Sequence, residues 1–178
     1  YLDHVVPQSI QRADHVIADS SATKKDIISA YATHPDKISV LLSGIDARFQ
    51  PVTDEAKRRQ VRDKYGIGDL PYFFAIGTVQ PRKNYSRIIR ALKRLRDEGH
   101  AVQVVIAGGR GWLEDEMYQT LDSTQLHDVV KLVGFVDEAD INALYSDAVG
   151  VVFPSLYEGF GFPVLEGMAC GTPVITSN

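Results

Sequence analysis

The sequence is poor in cysteine, in net charge and in long apolar runs. Cys170 is the only cysteine among 178 residues, so no disulfide can form within the chain. No run approaches the length of a membrane span and no signal peptide opens the chain, so we expect a cytoplasmic protein. The net charge of -4 gives no general attraction to nucleic acid, and we expect none to bind. The five histidines show no metal-ligand spacing with one another or with the cysteine, so we expect no metal site.

Strand-like and helix-like segments alternate along most of the chain. With 44% apolar and 24% charged residues, the composition is that of a globular protein long enough for one full core. The predicted strands rich in Val and Ile are typical of a sheet buried on both faces. The pattern therefore predicts an α/β fold with a parallel sheet and helices on both faces. Strands are predicted over residues 72–77, 102–108, 129–133, 149–153 and 174–176, and helices over 54–65, 85–97, 113–121, 140–145 and 163–169.

A shorter strand, helix and strand pattern precedes this series. The turn Ser43–Asp46 then leads into a polar stretch, where we expect a domain boundary. The pattern alone leaves open whether this first unit adds to the main sheet. Its predicted elements are strands over 15–19 and 37–42, with a helix between them that is capped by Ser20 or Ser21 and ends near residue 32.

Two carboxylates, Glu158 and Glu166, lie eight positions apart with a Gly-Phe-Gly-Phe-Pro run between them. Pro163 fits the first turn of a helix, because its φ is fixed and its missing N–H is not needed there, so we expect the helix to begin near Phe162. Gly159 and Gly161 lack a Cβ and let a ligand approach peptide N–H groups, which near a helix N-terminus favour an anion. Glu166 can accept hydrogen bonds from a vicinal diol, whereas Glu158 can reach hydroxyls of a second group. The pattern favours a ligand with two ends, although an acidic first helical turn is also typical of a structural role.

A basic loop, Pro81-Arg82-Lys83-Asn84, follows the predicted strand that ends at Gly77. In open α/β sheets, ligands bind at loops on the carboxyl ends of the strands. Arg82 can bind a phosphate through a bidentate guanidinium, and Lys83 adds a compact positive charge. The pair can therefore neutralise a diphosphate, although an isolated Arg-Lys pair is more typical of an exposed surface.

Glycines also follow the next strand, at Gly108, Gly109 and Gly111. Their spacing does not match the G-x-G-x-x-G pattern of dinucleotide-binding loops, and we interpret them as a tight turn covered by Trp112. The loop Gly134–Asp137 ends a further strand and is expected at the same edge of the sheet. Taken alone, this loop is nearly as well explained as a hinge between strand and helix.

The segment from Glu158 to Glu166 resembles the E-x7-E signature of the group-1 retaining glycosyltransferases of GT-B fold, which use nucleotide-diphosphate sugars. The resemblance implies that Glu158 contacts the donor sugar and that Glu166 holds the nucleotide ribose. Within the motif, it implies donor binding by Gly159, Phe160, Gly161, Phe162 and Leu165.

The basic loop is similar to the Arg-Lys-Asn loop of the same family, whose cations bind the donor phosphates. The similarity implies catalytic roles for Arg82 and Lys83, beside Glu158, and donor contacts at Gly77 and Thr78. Some members carry an arginine directly after the strand-ending glycine, where this chain has Thr78. Arg82 is then the implied substitute for that arginine.

In this family the loop that corresponds to residues 134–137 borders the nucleobase, which implies contacts from Phe135 and Val136. The implied reaction transfers a glycosyl group to a hydroxyl acceptor with retention and without a metal or other cofactor. The Pro-Arg-Lys-Asn form is similar to that of bacterial polysaccharide mannosyltransferases and favours GDP-mannose as the donor. The implied acceptor is a glycan, a lipid-linked compound or a small molecule.

The resemblance also implies a division of the chain. Residues 1–46 correspond to the tail of the N-terminal acceptor domain and its linker, and residues 47–178 to the donor-binding domain, the C-terminal half of a GT-B fold. The chain starts at Tyr1 rather than Met and ends directly after a strand-like run, so we expect a cut piece whose donor domain is incomplete at its C-terminus. Such a fragment is expected to bind donor and transfer little. Peripheral membrane contact is expected only from the missing regions, and no sequence feature specifies an oligomeric state.

Two other functions fit a nucleotide-sugar site of this architecture. A nucleotide-sugar epimerase or phosphorylase would turn over without an acceptor or would depend on phosphate. A non-catalytic nucleotide-sugar binding module would bind the donor and stay inactive when rejoined to the rest of its parent chain. The transferase is favoured because two loops at different strand ends both suit one diphosphate ligand.

Overall fold

The computed structural model describes residues 2–112 and 115–177. They form two compact units. The first consists of the residues up to Gly44 together with Glu158–Gly161, and the second of Ile45–Tyr157 together with the residues from Phe162 onward. Within the described residues, no helix is both long and apolar enough to cross a bilayer. The predicted helix start at Leu113 falls outside the described part of the chain.

The first unit contains a helix followed by a parallel βαβ arrangement. Its elements are helix α1 (Leu2–Arg12), strand β1 (Val16–Ala18), helix α2 (Ser21–Tyr31) and strand β2 (Ile38–Val40). Ser20 caps α2, because its hydroxyl accepts a hydrogen bond from the Thr23 N–H at 3.0 Å. The two strands pair in parallel, with Val16 opposite Ile38. They form a two-stranded sheet of their own, which answers the question that the sequence pattern left open.

The second unit is built around a five-stranded parallel sheet. Its elements are α3 (Glu55–Lys64), β3 (Tyr72–Ile76), α4 (Tyr85–Asp97), β4 (Gln103–Ala107), α5 (Asp115–Thr124), β5 (Val130–Gly134), α6 (Glu138–Asp147), β6 (Gly150–Phe153), α7 (Phe162–Ala169) and β7 (Val174–Thr176). The strand order is β5-β4-β3-β6-β7, and all neighbouring strands are parallel. The predicted α/β fold is confirmed.

Helices pack on both faces of this sheet because its strands are apolar on both sides. Along β4, Val105 and Ala107 join one core cluster, whereas Val104 and Ile106 join the other. This division follows the alternation of side chains along a strand. The first cluster includes residues of α3 and α6, and the second includes residues of α4 and α5. The carboxyl ends of the strands are left at one edge, where the loops with candidate site residues lie.

Charged side chains join α3 to α6. The buried carboxylate of Asp140 accepts hydrogen bonds from Lys57 at 3.1 Å, from Lys64 at 2.5 Å and from Tyr65 at 3.2 Å. Burial alone would raise the pKa of Asp140, but these hydrogen bonds outweigh burial and hold that pKa below its usual value. The ionised carboxylate therefore fixes α3 against the helix that follows the Gly134–Asp137 loop.

Candidate functional site

The basic loop after β3 forms a short 3-10 turn, Pro81–Lys83. Proline suits its first position because its φ is fixed, and Asn84 ends the turn with left-handed backbone at φ 57°. Hydrogen bonds join this turn to residues 154–157, which follow β6. They run from Arg82 Nη1 to the Tyr157 carbonyl at 2.7 Å, from the Leu156 N–H to the Arg82 carbonyl at 2.8 Å, and from Asn84 Nδ2 to the Pro154 carbonyl at 3.1 Å. Arg82 and Tyr157 are 75 positions apart in the sequence, so the fold joins two distant segments here.

Lys83 is largely buried, with 8% of its surface exposed. Its ammonium lies 4.6 Å from the centroid of the Phe153 ring, where a cation is attracted to an aromatic face. Its side chain also crosses Gly77, because a Cβ at that glycine would lie 2.9 Å from Lys83 Cε. The φ of Gly77 is 138°, which side chains rarely adopt, so the backbone favours glycine here, and its lack of a Cβ leaves room for the lysine. The positive charge is therefore held within the protein at the carboxyl end of β3, where it acts more strongly than in water.

The glycines after β4 allow neighbouring strand ends to touch. A Cβ on Gly108 would lie 2.2 Å from the Gly77 carbonyl oxygen, and one on Gly111 would lie 2.0 Å from the Val79 carbonyl oxygen. The methyl group of Thr78 also lies against Gly111. Close backbone approach, and not dinucleotide binding, accounts for these two glycines.

Phe135, and not Trp112, covers the remaining glycine of this turn. A Cβ on Gly109 would lie 2.5 Å from Phe135 Cζ, so the aromatic ring lies directly against the glycine backbone. The predicted packing of Trp112 is wrong, and that side chain is 63% exposed. Phe135 itself remains 85% exposed, so most of its ring faces away from the protein. The carboxyl end of β5 thus presents an accessible aromatic surface.

The backbone that carries Phe135 is fixed from both sides. Val136 packs against the apolar core. The N–H of Asp137 donates to the Tyr65 hydroxyl at 2.9 Å, and Lys64 donates to the Asp137 carboxylate at 2.5 Å. The end of α3 therefore holds this loop in place.

The acidic motif leads into α7, which begins at Phe162 as predicted. Gly161 precedes the helix with φ 95°, a backbone conformation that favours glycine. Phe162 is exposed, and Leu165 is half-buried. Glu166 is half-buried, and its Oε2 accepts a hydrogen bond from the Tyr145 hydroxyl at 2.6 Å. The carboxylate predicted to bind a diol is thus already oriented by a neutral donor.

Tyr145 is a residue that the sequence analysis missed. It lies on α6 and is fully buried. Burial, together with the negative charge of Glu166, raises the pKa of Tyr145 far above its ordinary value, so the hydroxyl stays protonated. Burial and the same charge raise the pKa of the Cys170 thiol to about 11, as expected of a structural cysteine. A tyrosine on the buried side of a mixed helix carries no sequence signal of such a contact.

The segment Glu158–Gly161 groups with the first compact unit. Its residues are half-buried. A Cβ on Gly159 would lie 3.1 Å from Asp19 Oδ2 and 3.5 Å from Thr23 Oγ1, so this glycine packs closely against the carboxyl end of β1 and the start of α2. Packing within the first unit therefore also explains why a glycine is present at position 159.

Several candidate residues lie in loops at the carboxyl edge of the main sheet. They are Gly77, Thr78, Arg82, Lys83, Phe135 and Val136. Phe162, Leu165 and Glu166 lie on the helix after β6, the strand next to β3. Glu158, Gly159, Phe160 and Gly161 fall in the other unit. Cations, an exposed aromatic ring and an oriented carboxylate suit an anionic ligand that carries hydroxyls and an aromatic base. Among the described residues, no group of three or more His, Cys, Asp or Glu side chains could hold a metal ion.

Comparison with known proteins gives concordant results. The model of the family described as glycosyl transferases group 1 matches residues 57–178. O-antigen chain mannosyltransferase B of Escherichia coli is 30% identical over 179 residues, covering 100% of this chain and 47% of that protein. D-inositol 3-phosphate glycosyltransferase of Salinispora arenicola is 32% identical over 182 residues, covering 96% of this chain and 41% of that protein. The chain therefore spans less than half the length of these relatives.

A solved structure is also similar over almost the whole chain. HepE of Anabaena, in complex with UDP and glucose, matches with a TM-score of 0.83 and 25% identity. The match covers 98% of this chain and 47% of that chain. Sequence and fold thus point to the same group of proteins.

Proposed function

Because the chain belongs to the group 1 glycosyltransferases, we propose that its parent protein transfers a glycosyl group from a nucleotide-diphosphate sugar to a hydroxyl acceptor with retention. The chain has the fold of the C-terminal half of a GT-B protein. The observation that carries the proposal is the junction of the Arg82-Lys83 turn with residues 154–157, which directly precede the acidic motif. It joins the basic turn to the stretch of chain that leads into the acidic motif, which supports a role for both in binding one diphosphate donor.

The proposed chemistry depends on stabilising the leaving group. As the bond between the anomeric carbon and the diphosphate oxygen breaks, negative charge grows on the diphosphate. A bond from the acceptor oxygen to the anomeric carbon forms, and the acceptor hydroxyl passes its proton to the departing diphosphate. Lys83 and Arg82 would stabilise that charge, assisted by the N–H groups in the first turn of α7. Lys83 is held by Phe153 and Gly77, and Arg82 by Tyr157, so little reorganisation is needed during reaction.

The remaining roles follow from the chemistry of each side chain. Glu158 would orient the donor sugar by accepting hydrogen bonds from its hydroxyls, and Glu166 would bind the ribose diol. Phe135 would contact the nucleobase through its exposed ring, beside Val136.

We infer GDP-mannose as the donor. The Pro-Arg-Lys-Asn loop and the similarity to an O-antigen chain mannosyltransferase support mannose, whereas the similar HepE structure contains UDP and glucose.

We also infer that residues 1–46 are the tail of the acceptor domain, and residues 47–178 the donor domain. The first compact unit contains the residues up to Gly44, close to this boundary. The acceptor-side residues would then lie outside this chain. A glycan, lipid-linked or small-molecule hydroxyl compound is the proposed acceptor of the parent protein.

Calorimetry with GDP, UDP and ADP tests the donor site on the 178-residue chain. We expect one of them to bind, and Lys83→Ala to weaken that binding by about 1.5 to 3 kcal/mol, as typical for a hydrogen bond to a charged group. Lys93→Ala is the matched control, because Lys93 lies on α4 and pairs with Asp97. Unchanged affinity in Lys83→Ala, or no binding of any nucleotide, would reject the proposed site.

The transfer reaction requires the parent protein. Incubation with GDP-mannose or UDP-glucose and an acceptor, followed by NMR of the product, gives both the donor and the anomeric configuration. An α-linked product from an α-linked donor supports retention. Inversion would refute the retaining mechanism while leaving the donor site intact.

A further inference from the structure

Contacts other than its hydrogen bond to Glu166 also hold Tyr145 in place. Its ring is fully buried and meets the rings of Phe49 and Phe74 edge-on, with centroids 6.4 and 5.1 Å apart. Its carbonyl oxygen accepts a hydrogen bond from Thr172 Oγ1 at 2.6 Å. Side chain and backbone are therefore both fixed, and the direction of the hydroxyl is set by the core.

The hydroxyl of Tyr145 reaches one oxygen of a half-buried carboxylate. Its distance to Glu166 Oε2 is 2.6 Å, typical of a hydrogen bond from a hydroxyl to an ionised acceptor. An ionised carboxylate has about four acceptor positions, and this contact uses one of them. Because the donor is neutral, it orients the carboxylate without cancelling its charge.

We propose that Tyr145 is a positioning residue, which sets the Glu166 carboxylate in the orientation that accepts both hydroxyls of a ribose. This inference rests on the proposed function, in which Glu166 binds the nucleotide ribose. Without the Tyr145 hydroxyl, the Glu166 side chain would populate several rotamers. Fixing one of them on binding the diol would cost conformational entropy and lower the affinity. A tyrosine with a merely structural role would support the core and leave ribose recognition unchanged.

The test compares ribonucleotides with their 2′-deoxy counterparts on the 178-residue chain. Calorimetry gives the ratio of affinities for GDP over 2′-deoxy-GDP, and for UDP over 2′-deoxy-UDP. We expect the wild-type ratio for the bound nucleotide to be roughly tenfold or more, and Glu166→Gln to bring it close to one. Tyr145→Phe should lower the ratio several-fold while the affinity for pyrophosphate, which has no ribose, stays unchanged.

Tyr72→Phe is the matched control. Tyr72 is also fully buried in the same core cluster, and its hydroxyl donates to the Leu144 carbonyl at 2.7 Å. Both variants keep the ring and lose one buried hydroxyl, so both are expected to fold, but only Tyr145→Phe should change the ratio. Replacing Tyr145 by 3-fluorotyrosine, which keeps the donor, should preserve the wild-type ratio.

The outcomes separate this inference from the proposed function. If the wild-type chain does not discriminate against 2′-deoxy nucleotides, the ribose role of Glu166 fails and the inference fails with it. If the wild-type chain discriminates and Glu166→Gln does not, but Tyr145→Phe matches wild type, the function stands and the positioning role is overturned. An equal loss in Tyr72→Phe and Tyr145→Phe would overturn it as well, because general weakening of the core would then explain both.

Discussion

The buried carboxylate of Asp140, between α3 and α6, and the carboxylate of Glu166, on α7, are held by different kinds of partner. Asp140 accepts hydrogen bonds from two lysines as well as from Tyr65. Glu166 accepts its hydrogen bond from a neutral phenol. The first arrangement cancels charge and joins two helices. The second fixes the direction of a carboxylate and keeps its charge, which is what binding a hydroxylated ligand requires.

Replacing Asp140 should have the largest effect on stability. Asp140→Ala leaves Lys57 and Lys64 without their shared acceptor, and we expect a loss of about 3 kcal/mol in the free energy of unfolding, at the lower end for a broken buried ion pair because both lysines can reach water. Urea denaturation measures this loss. Glu138→Gln, which breaks an exposed pair with Arg48, is the control and should cost less than about 1 kcal/mol. Equal losses in the two variants would contradict the structural role of Asp140.

The same group predicts a dependence of stability on pH. Since the pKa of Asp140 is lowered in the folded protein, its contribution is complete above the unfolded pKa of an aspartate, about 4, and is lost as the pH falls through the lower folded value. Urea denaturation at pH 7 and at pH 3 should therefore show a smaller free energy of unfolding in acid. The acid-induced loss should be reduced in Asp140→Asn. A variant with the full wild-type pH dependence would show that other carboxylates cause it.

Replacing Glu166 should show the reverse pattern. Glu166→Gln keeps the shape and an acceptor for Tyr145, so the free energy of unfolding should change by less than about 0.5 kcal/mol. Nucleotide affinity should fall by about 2 kcal/mol, because an ionised acceptor of hydroxyl hydrogen bonds is lost. Calorimetry and urea denaturation on one preparation measure both. If Glu166→Gln lowers the free energy of unfolding but not the nucleotide affinity, Glu166 has a structural role and the contrast with Asp140 is wrong.

Replacing Phe135 should have the smallest effect. Because its ring is 85% exposed, Phe135→Ala should leave stability nearly unchanged. Nucleotide affinity should fall by about 1 kcal/mol through loss of contact with the base, while pyrophosphate affinity stays the same. Trp112→Ala serves as the control, since that side chain is also exposed but does not cover Gly109. A similar loss of pyrophosphate affinity would contradict a contact between this ring and the base.

The sequence predicted the main fold well because its signals are local. Apolar strands, capped helices and the proline of α7 determined element type and the helix start at Phe162. Helix α1 was not predicted, because Pro7 lies inside it and more than half of its residues are polar. Its sequence therefore shows no clear helical spacing of apolar residues. The Ser20 cap was predicted because capping is also a local interaction.

The site was predicted less completely because its geometry depends on distant contacts. The burial of Lys83 against Phe153 arises from segments 70 positions apart, and no pattern around Lys83 encodes it. Phe135 likewise reaches Gly109 from another loop. The prediction that Trp112 covers this turn was wrong because it was based only on closeness in the sequence. Tyr145 was not predicted because a buried tyrosine on a helix of mixed composition has no distinctive spacing. The sequence therefore indicates which residues are candidates for the site, whereas their contacts with one another follow only from the folded structure.

The most direct test is a crystal structure of the chain with GDP or UDP, whichever binds by calorimetry. We predict the diphosphate within about 4 Å of Lys83 Nζ, close enough for a charge-assisted contact, and both ribose hydroxyls within hydrogen-bonding distance of Glu166. The base should contact the Phe135 ring. A nucleotide bound away from the carboxyl edge of the main sheet, or with its ribose turned away from Glu166, would contradict the account.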